Sequence, residues 1–140
     1  MAYRMGVTLA DINACRASWR GPIVVGELPN LVRVKLKLRV PLVHLSRDSL
    51  EHIGRRHPEI DDFELPIVSL IVERGMILQE KEKPNFLLAV GKDRDSHRKY
   101  VAVMKMTAGN LEVWLTSFHR TTDRQIRKWK RDNILLMPEH

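Results

Sequence analysis

From Met76 onward the apolar pattern switches to a period of two within short runs, and no other feature restricts the fold as much. A period of two sends successive side chains to opposite faces of a strand, whereas a helix repeats every 3.6 residues. The alternation predicts strands at 76–80, 85–91, 99–106 and 111–118. Thr107-Ala-Gly-Asn110 reads as the hairpin loop between the last two. With Met106 facing Leu111, one face carries Tyr100, Ala102, Met104, Met106, Leu111, Val113, Leu115 and Ser117 and is expected to be the core. The other carries Val101, Val103, Lys105, Glu112, Trp114, Thr116 and Phe118, a mixed set suited to a cleft wall.

Upstream of Met76 the spacing is mostly helical. Thr8 can cap a short helix through Trp19 that ends before Gly21-Pro22. Ser46 reads as an N-cap, with Asp48 in the first turn where the helix dipole favours a carboxylate. That helix runs through Leu50 and Ile53 and ends near His57, because Pro58 disfavours a helical residue before it. Leu65, Val68, Ile71 and Val72 predict another helix, stopped by Gly75. Residues 31–40 read as a strand: Val32, Val34, Leu36, Leu38 and Val40 alternate with Arg33, Lys35, Lys37 and Arg39. A last helix over 121–132 docks through Ile126 and Trp129 and carries a basic stripe of Arg124, Arg127, Lys128 and Arg131.

This order predicts an α+β fold in which N-terminal helices pack on a curved antiparallel sheet of four to five strands, followed by a basic C-terminal helix. One domain is expected, with residues 1–30 as an N-terminal segment packed on the main unit at 31–137.

Charge sharpens the expectation. The chain has a net charge of +7 and a pI near 9.9, the electrostatic footprint of a nucleic-acid binder. Residues 31–60 carry seven basic and three acidic side chains, 61–90 three and six, and 91–140 eleven and six. Two basic segments flank an acidic one, and folding could bring them to one side. A single cysteine, Cys15, excludes an internal disulfide and a cysteine-built zinc site, and no carboxylate pair accompanies His52 and His57 at ligand spacing. No metal or other cofactor is expected. The start of the chain has no secretory pattern and no apolar run reaches membrane length, so a cytoplasmic protein with no membrane contact is expected.

Two clusters could carry chemistry. In His52-Ile-Gly-Arg55-Arg56-His57, His52 and Arg56 share a helical face and His57 lies at the helix end. Imidazoles beside guanidiniums suit acid–base work on a phosphodiester, the first moving protons and the second stabilising charge. The plainer reading makes the arginines surface residues and His57 a cap. The second cluster, Trp114 to Thr122, offers hydroxyls at Thr116 and Ser117 and an indole at Trp114 that can stack on a base. Its plainer reading is strand packing and helix capping, with Lys105 merely the cross-strand partner of Glu112.

The block His52-Ile-x-x-Arg56-His57 follows the expected basic strand and precedes an apolar helix, and a meander then ends in Leu111-Glu-Val-Trp-Leu-Thr-Ser-Phe118. Over residues 31–132 the chain resembles the phage-associated branch of the metal-independent RNase superfamily that includes barnase, EndoU, colicin-type tRNases and RelE-type toxins. The resemblance implies helices before a curved antiparallel sheet whose open face is an RNA cleft. It implies cleavage by the ribose 2′-hydroxyl, with His57, Arg56 and His52 contributing from the helix side and Thr116 or Ser117 from the late strand. Those two neighbours point to opposite faces, and the face assignment favours Thr116. Lys105 and Arg56 would meet phosphate charge. Arg33, Lys35, Lys37, Arg39, Trp114, Arg124, Arg127, Lys128 and Arg131 would bind RNA. No glutamate base is evident, which leaves the general base open. A toxin-like endoribonuclease acting on RNA such as tRNA, with a cognate antitoxin or immunity protein as partner, is the leading expectation. A non-catalytic nucleic-acid binder, a module for an acidic protein partner, and an ADP-ribosyltransferase-like toxin are the alternatives.

Overall fold

A computed structural model describes residues 6–17 and 22–140. Its first half runs α1 (Leu9–Ala17), β1 (Ile23–Glu27), α2 (Asn30–Leu36), β2 (Leu42–Leu45), α3 (Arg47–Arg56) and α4 (Ile67–Arg74). Its second half runs β3 (Met76–Gln79), β4 (Phe86–Lys92), β5 (Lys99–Met106), β6 (Val113–Thr121), α5 (Asp123–Asp132) and β7 (Ile134–Met137).

The meander forms as the alternation requires, with β3 to β6 as consecutive antiparallel neighbours. The sheet is larger than expected, however. Seven strands run in the order β1-β2-β6-β5-β4-β3-β7, and β2 lies parallel to β6, so the sheet is mixed and open rather than a four- to five-stranded antiparallel one. The additional strands β2 and β7 have four residues each and β1 has five, too short to show a period convincingly.

Residues 31–40 do not form a strand. They form α2 and the turn after it, with Lys37 closing the helix in the left-handed conformation (φ 54°) and donating its backbone N–H to Arg33 O and Val34 O. A sequence with apolar residues at 32, 34, 36, 38 and 40 fits either period in part. Val32 and Leu36, one helical turn apart, are the helix's buried pair, while Val34 is left 61% exposed. The four cations consequently do not share a strand face. Lys35 Nζ donates to Leu136 O at 2.7 Å, and Arg33, Lys37 and Arg39 are exposed.

One face of the sheet carries α1 to α4. Thr8 and Asp11 cap α1 reciprocally, each side chain accepting the other's backbone N–H. Ile12 and Cys15 then bury into the core, while the expected end of this helix at Trp19 lies outside the described residues. Ser46 caps α3 by accepting Ser49 N–H at 3.1 Å, and α3 buries Leu50 and Ile53. Helix α4 lies between β1 and the meander. Its buried Ser69 hydroxyl donates to Val25 O and accepts Val7 N–H at 2.8 Å, and Val72 packs where Gly26 has no side chain. Gly75 ends α4 as expected. A Cβ there would collide with Ile71 O and come within 2.8 Å of Val90 O, so the step from α4 into β3 requires glycine.

The opposite face is covered only in part. Thr122 caps α5, and Ile126 and Trp129 dock on Met76, Leu78, Leu88, Val90 and Val101. Because α2 packs on one face and α5 on the other, the two basic segments flank the sheet instead of meeting on one side. Beyond the edge of α5, the β2–β6 part of this face stays open. Among the described residues no helix is long and apolar enough to cross a membrane.

Candidate active site

Strand β6 organises the open face through a β-bulge. Val103 pairs with Ser117 and Met104 with Leu115, leaving Thr116 as the extra residue. Its hydroxyl donates to Val103 O at 3.1 Å and is thereby committed to holding the bulge. One inserted residue inverts the alternation beyond it, which corrects the expected faces. Phe118 belongs to the core, fully buried and stacked on Tyr100 at 5.2 Å between ring centroids. Ser117 and His119 instead face the open side with Trp114. The hydroxyl available to a ligand is therefore that of Ser117, not Thr116. Leu111 is also outside the core, 46% exposed.

Helix α3 delivers the second half of the site. Ile53 O accepts the backbone N–H of His57, the C-cap residue, and Pro58 prevents a further turn. His57 stacks on His119 with ring centroids 4.3 Å apart and planes 16° from parallel. Both rings are half-buried. His57 Nδ1 lies 3.5 Å from Glu59 Oε1, and His119 Nδ1 lies 3.4 Å from Ser117 Oγ. Burial, and then repulsion by His57, push His119 below the usual imidazole range, partly opposed by Glu59. His119 is thus held neutral and able to accept a proton.

A buried carboxylate fixes this arrangement. Glu64 is 6% exposed and takes a bidentate pair from Arg120, with Nε to Oε2 at 2.6 Å and Nη2 to Oε1 at 2.7 Å. Tyr100 Oη also donates to Glu64 Oε2 at 2.6 Å. Arg120 and the Tyr100 hydroxyl hold the Glu64 carboxyl below the usual carboxylate range. Burial and the neighbouring carboxylate push Tyr100 up to about 12. Arg120 follows His119 in β6, and its Nη2 reaches Glu59 O at 3.4 Å. The network therefore ties the loop bearing His57 and Glu59 to the strand bearing His119.

Along β6 on the open side, Trp114 pairs with His44 of β2, their rings 5.3 Å apart. Lys105 lies opposite Trp114 and Phe86, not opposite Glu112, with Nζ 5.7 Å from the Phe86 ring. His52 and Arg56 are exposed on α3 without a hydrogen bond or ion pair among the described residues, and Arg56 directly precedes His57. Arg124, Arg127, Lys128 and Arg131 are exposed on α5. No protein-family model matches the chain, and neither a curated protein nor a solved structure does.

His119, Glu59, Glu64 and Arg120 were not among the expected site residues. A signal for His119 existed: it lies two residues after Ser117 and shares its face in an unbroken strand segment. Glu64 had none, because a glutamate within an acidic stretch reads as solvated surface.

Proposed function

We propose that the chain is an endoribonuclease that cuts RNA by transesterification, with His57 and His119 moving the protons. The observation that carries this reading is the stacked imidazole pair, one ring held neutral, beside the Ser117 hydroxyl on an open sheet face. The ribose 2′-oxygen attacks phosphorus and the P–O5′ bond breaks. His119 takes the 2′-proton and His57 gives a proton to the departing 5′-oxygen, leaving a 2′,3′-cyclic phosphate and a 5′-hydroxyl. Glu59 engages Nδ1 of His57 and leaves Nε2 for this transfer. Lys105 and Arg56 supply positive charge for the phosphate, Ser117 orients His119, and Trp114 beside His44 offers a surface for a base. Helices on one face of an antiparallel meander, with the other face open along β6, accord with the resemblance to the barnase and EndoU superfamily.

Incubation with total RNA in EDTA tests the reading. Wild type is expected to produce cyclic-phosphate ends, with His57→Ala and His119→Ala inactive; RNA left intact at high protein concentration refutes it. A second reading, a non-catalytic RNA binder, is favoured by one observation: four clefts among the described residues lie by α4, β7, α5 and the β5–β6 end, and none of these four is lined by His57 or His119. That reading predicts salt-dependent RNA binding without turnover.

A further inference from the structure

On the sheet face that carries α5, a hollow of about 430 Å³ opens between that helix, β3, β4 and β7. Its size falls in the roughly 300–1,000 Å³ range of small-molecule sites. The floor is Met76 of β3 and Val90 of β4, which pair across the two strands and point to the same face. Asp123, Ile126, Arg127 and Lys130 line it from α5, where their spacing of three and four residues puts them on one side of the helix. Leu135 and Glu139 close the opposite side, and Lys92 and Lys99, a cross-strand pair at the ends of β4 and β5, complete the rim. The histidine pair lies at α3 and β6 and lines no part of it.

Two properties of the lining select a ligand. The first is unbalanced charge: Lys92, Lys99, Arg127 and Lys130 face only Asp123 and Glu139. Lys99 holds Asp123 at 2.6 Å. That hydrogen bond, with the charges of Lys99, Arg127 and Lys92 behind it, keeps the Asp123 carboxyl below the usual carboxylate range, so Asp123 is already neutralised. Glu139 Oε2 accepts the backbone N–H of Lys92 at 3.2 Å and engages no ammonium group. Lys92, Arg127 and Lys130 make no ion pair or side-chain hydrogen bond among the described residues, so an incoming anion displaces no partner from them.

The second property is an aliphatic floor. Met76 and Val90 are almost buried, but Leu135, which pairs with Leu78 and shares its face, is left 43% exposed beyond the edge of α5. Among the described residues no aromatic ring lines the hollow to stack on a base, and no hydroxyl or amide side chain lines it to read a sugar or a base edge. Covering this floor with an alkyl group removes apolar surface from water on both partners.

We propose that the hollow binds an amphipathic anion: an aliphatic body on Met76, Val90, Ile126 and Leu135, with one carboxylate or phosphate head at Lys92, Arg127 and Lys130. The site is separate from the histidine pair and does not depend on the ribonuclease reading.

The test titrates the full chain with octanoate and with octyl phosphate below their micelle concentrations, by isothermal titration calorimetry. Methyl NMR of Met76, Val90, Ile126 and Leu135 locates the binding. Acetate, inorganic phosphate and octanol serve as probes that keep only the head or only the body. At least one octyl anion is expected to bind about tenfold more tightly than octanol and than its head alone, and to shift those four methyl signals. The stronger of the two distinguishes a carboxylate from a phosphate head. Lys130→Glu and Leu135→Thr alter exposed side chains, the second with a residue suited to a strand, and each is expected to weaken that binding about fivefold or more. Octanol binding as tightly as the octyl anions overturns the proposal, as does inorganic phosphate binding as tightly as octyl phosphate. Affinity unchanged in both variants also overturns it. Binding to anionic phospholipid vesicles with none to the single-chain probes assigns the surface to a membrane and likewise overturns it.

Discussion

Replacing Tyr100 by Phe probes the network that ties the two histidine-bearing segments together. The ring stays buried against Phe118, so packing is nearly conserved and only the hydroxyl is lost. Glu64 keeps both bonds from Arg120, so no charge is orphaned. The cost is one hydrogen bond to a charged acceptor, about 1.5–3 kcal/mol. The pH dependence gives an independent check. Tyr100 binds its proton more tightly in the folded state, its value rising from 10.0 to about 12. The associated stability is fully present below pH 10 and is lost as pH rises through about 12. A shift of this size corresponds to roughly 2–3 kcal/mol. Urea unfolding followed by tryptophan fluorescence, for both proteins at about pH 7, 9, 10.5 and 11.5, reads the difference between them. Other groups titrate equally in wild type and variant and cancel. The gap is expected to hold to about pH 9 and to narrow progressively above pH 10. A gap below about 0.5 kcal/mol at pH 7, or one that stays constant to pH 11.5, refutes the reasoning.

Three further outcomes are expected. In NMR titrations His119 changes charge below its ordinary 6.5, and His57→Asn moves it part of the way back up, since repulsion by His57 is relieved but burial persists; a value that does not move argues against the pair. The same depression keeps His119 unprotonated, and any activity using it as base intact, to lower pH than an ordinary imidazole allows. Thr116→Val removes the bulge bond to Val103 O and lowers stability by about 0.5–1.5 kcal/mol in urea melts, whereas Ser117→Ala, stable within about 0.5 kcal/mol, reduces RNA cleavage; the reverse pattern contradicts the face assignment. Gly75→Ala forces a methyl against Ile71 O and Val90 O and costs about 2–4 kcal/mol by thermal unfolding; a neutral outcome refutes the close approach of α4 and β4.

Elements whose local signals agree over their whole length were legible in the chain alone. Strand β5 falls at 99–106 as its alternation demands, α3 begins at Ser46 and ends before Pro58, and α5 docks through Ile126 and Trp129. His57 at a helix end was legible for the same reason. Tertiary structure decided the rest. At 31–40 one apolar pattern served two periods, and burial of Val32 and Leu36 on the helix-covered face selected α2 over a strand. In β6 a single inserted residue, with no local signature, moved Ser117 and His119 to the open face and Phe118 into the core. The meeting of His57 with His119, and of Glu64 with Arg120 and Tyr100, spans 62, 56 and 36 residues of chain. Local propensity acts over a few residues, so contacts at such separations are fixed only when the sheet assembles and the core closes around them.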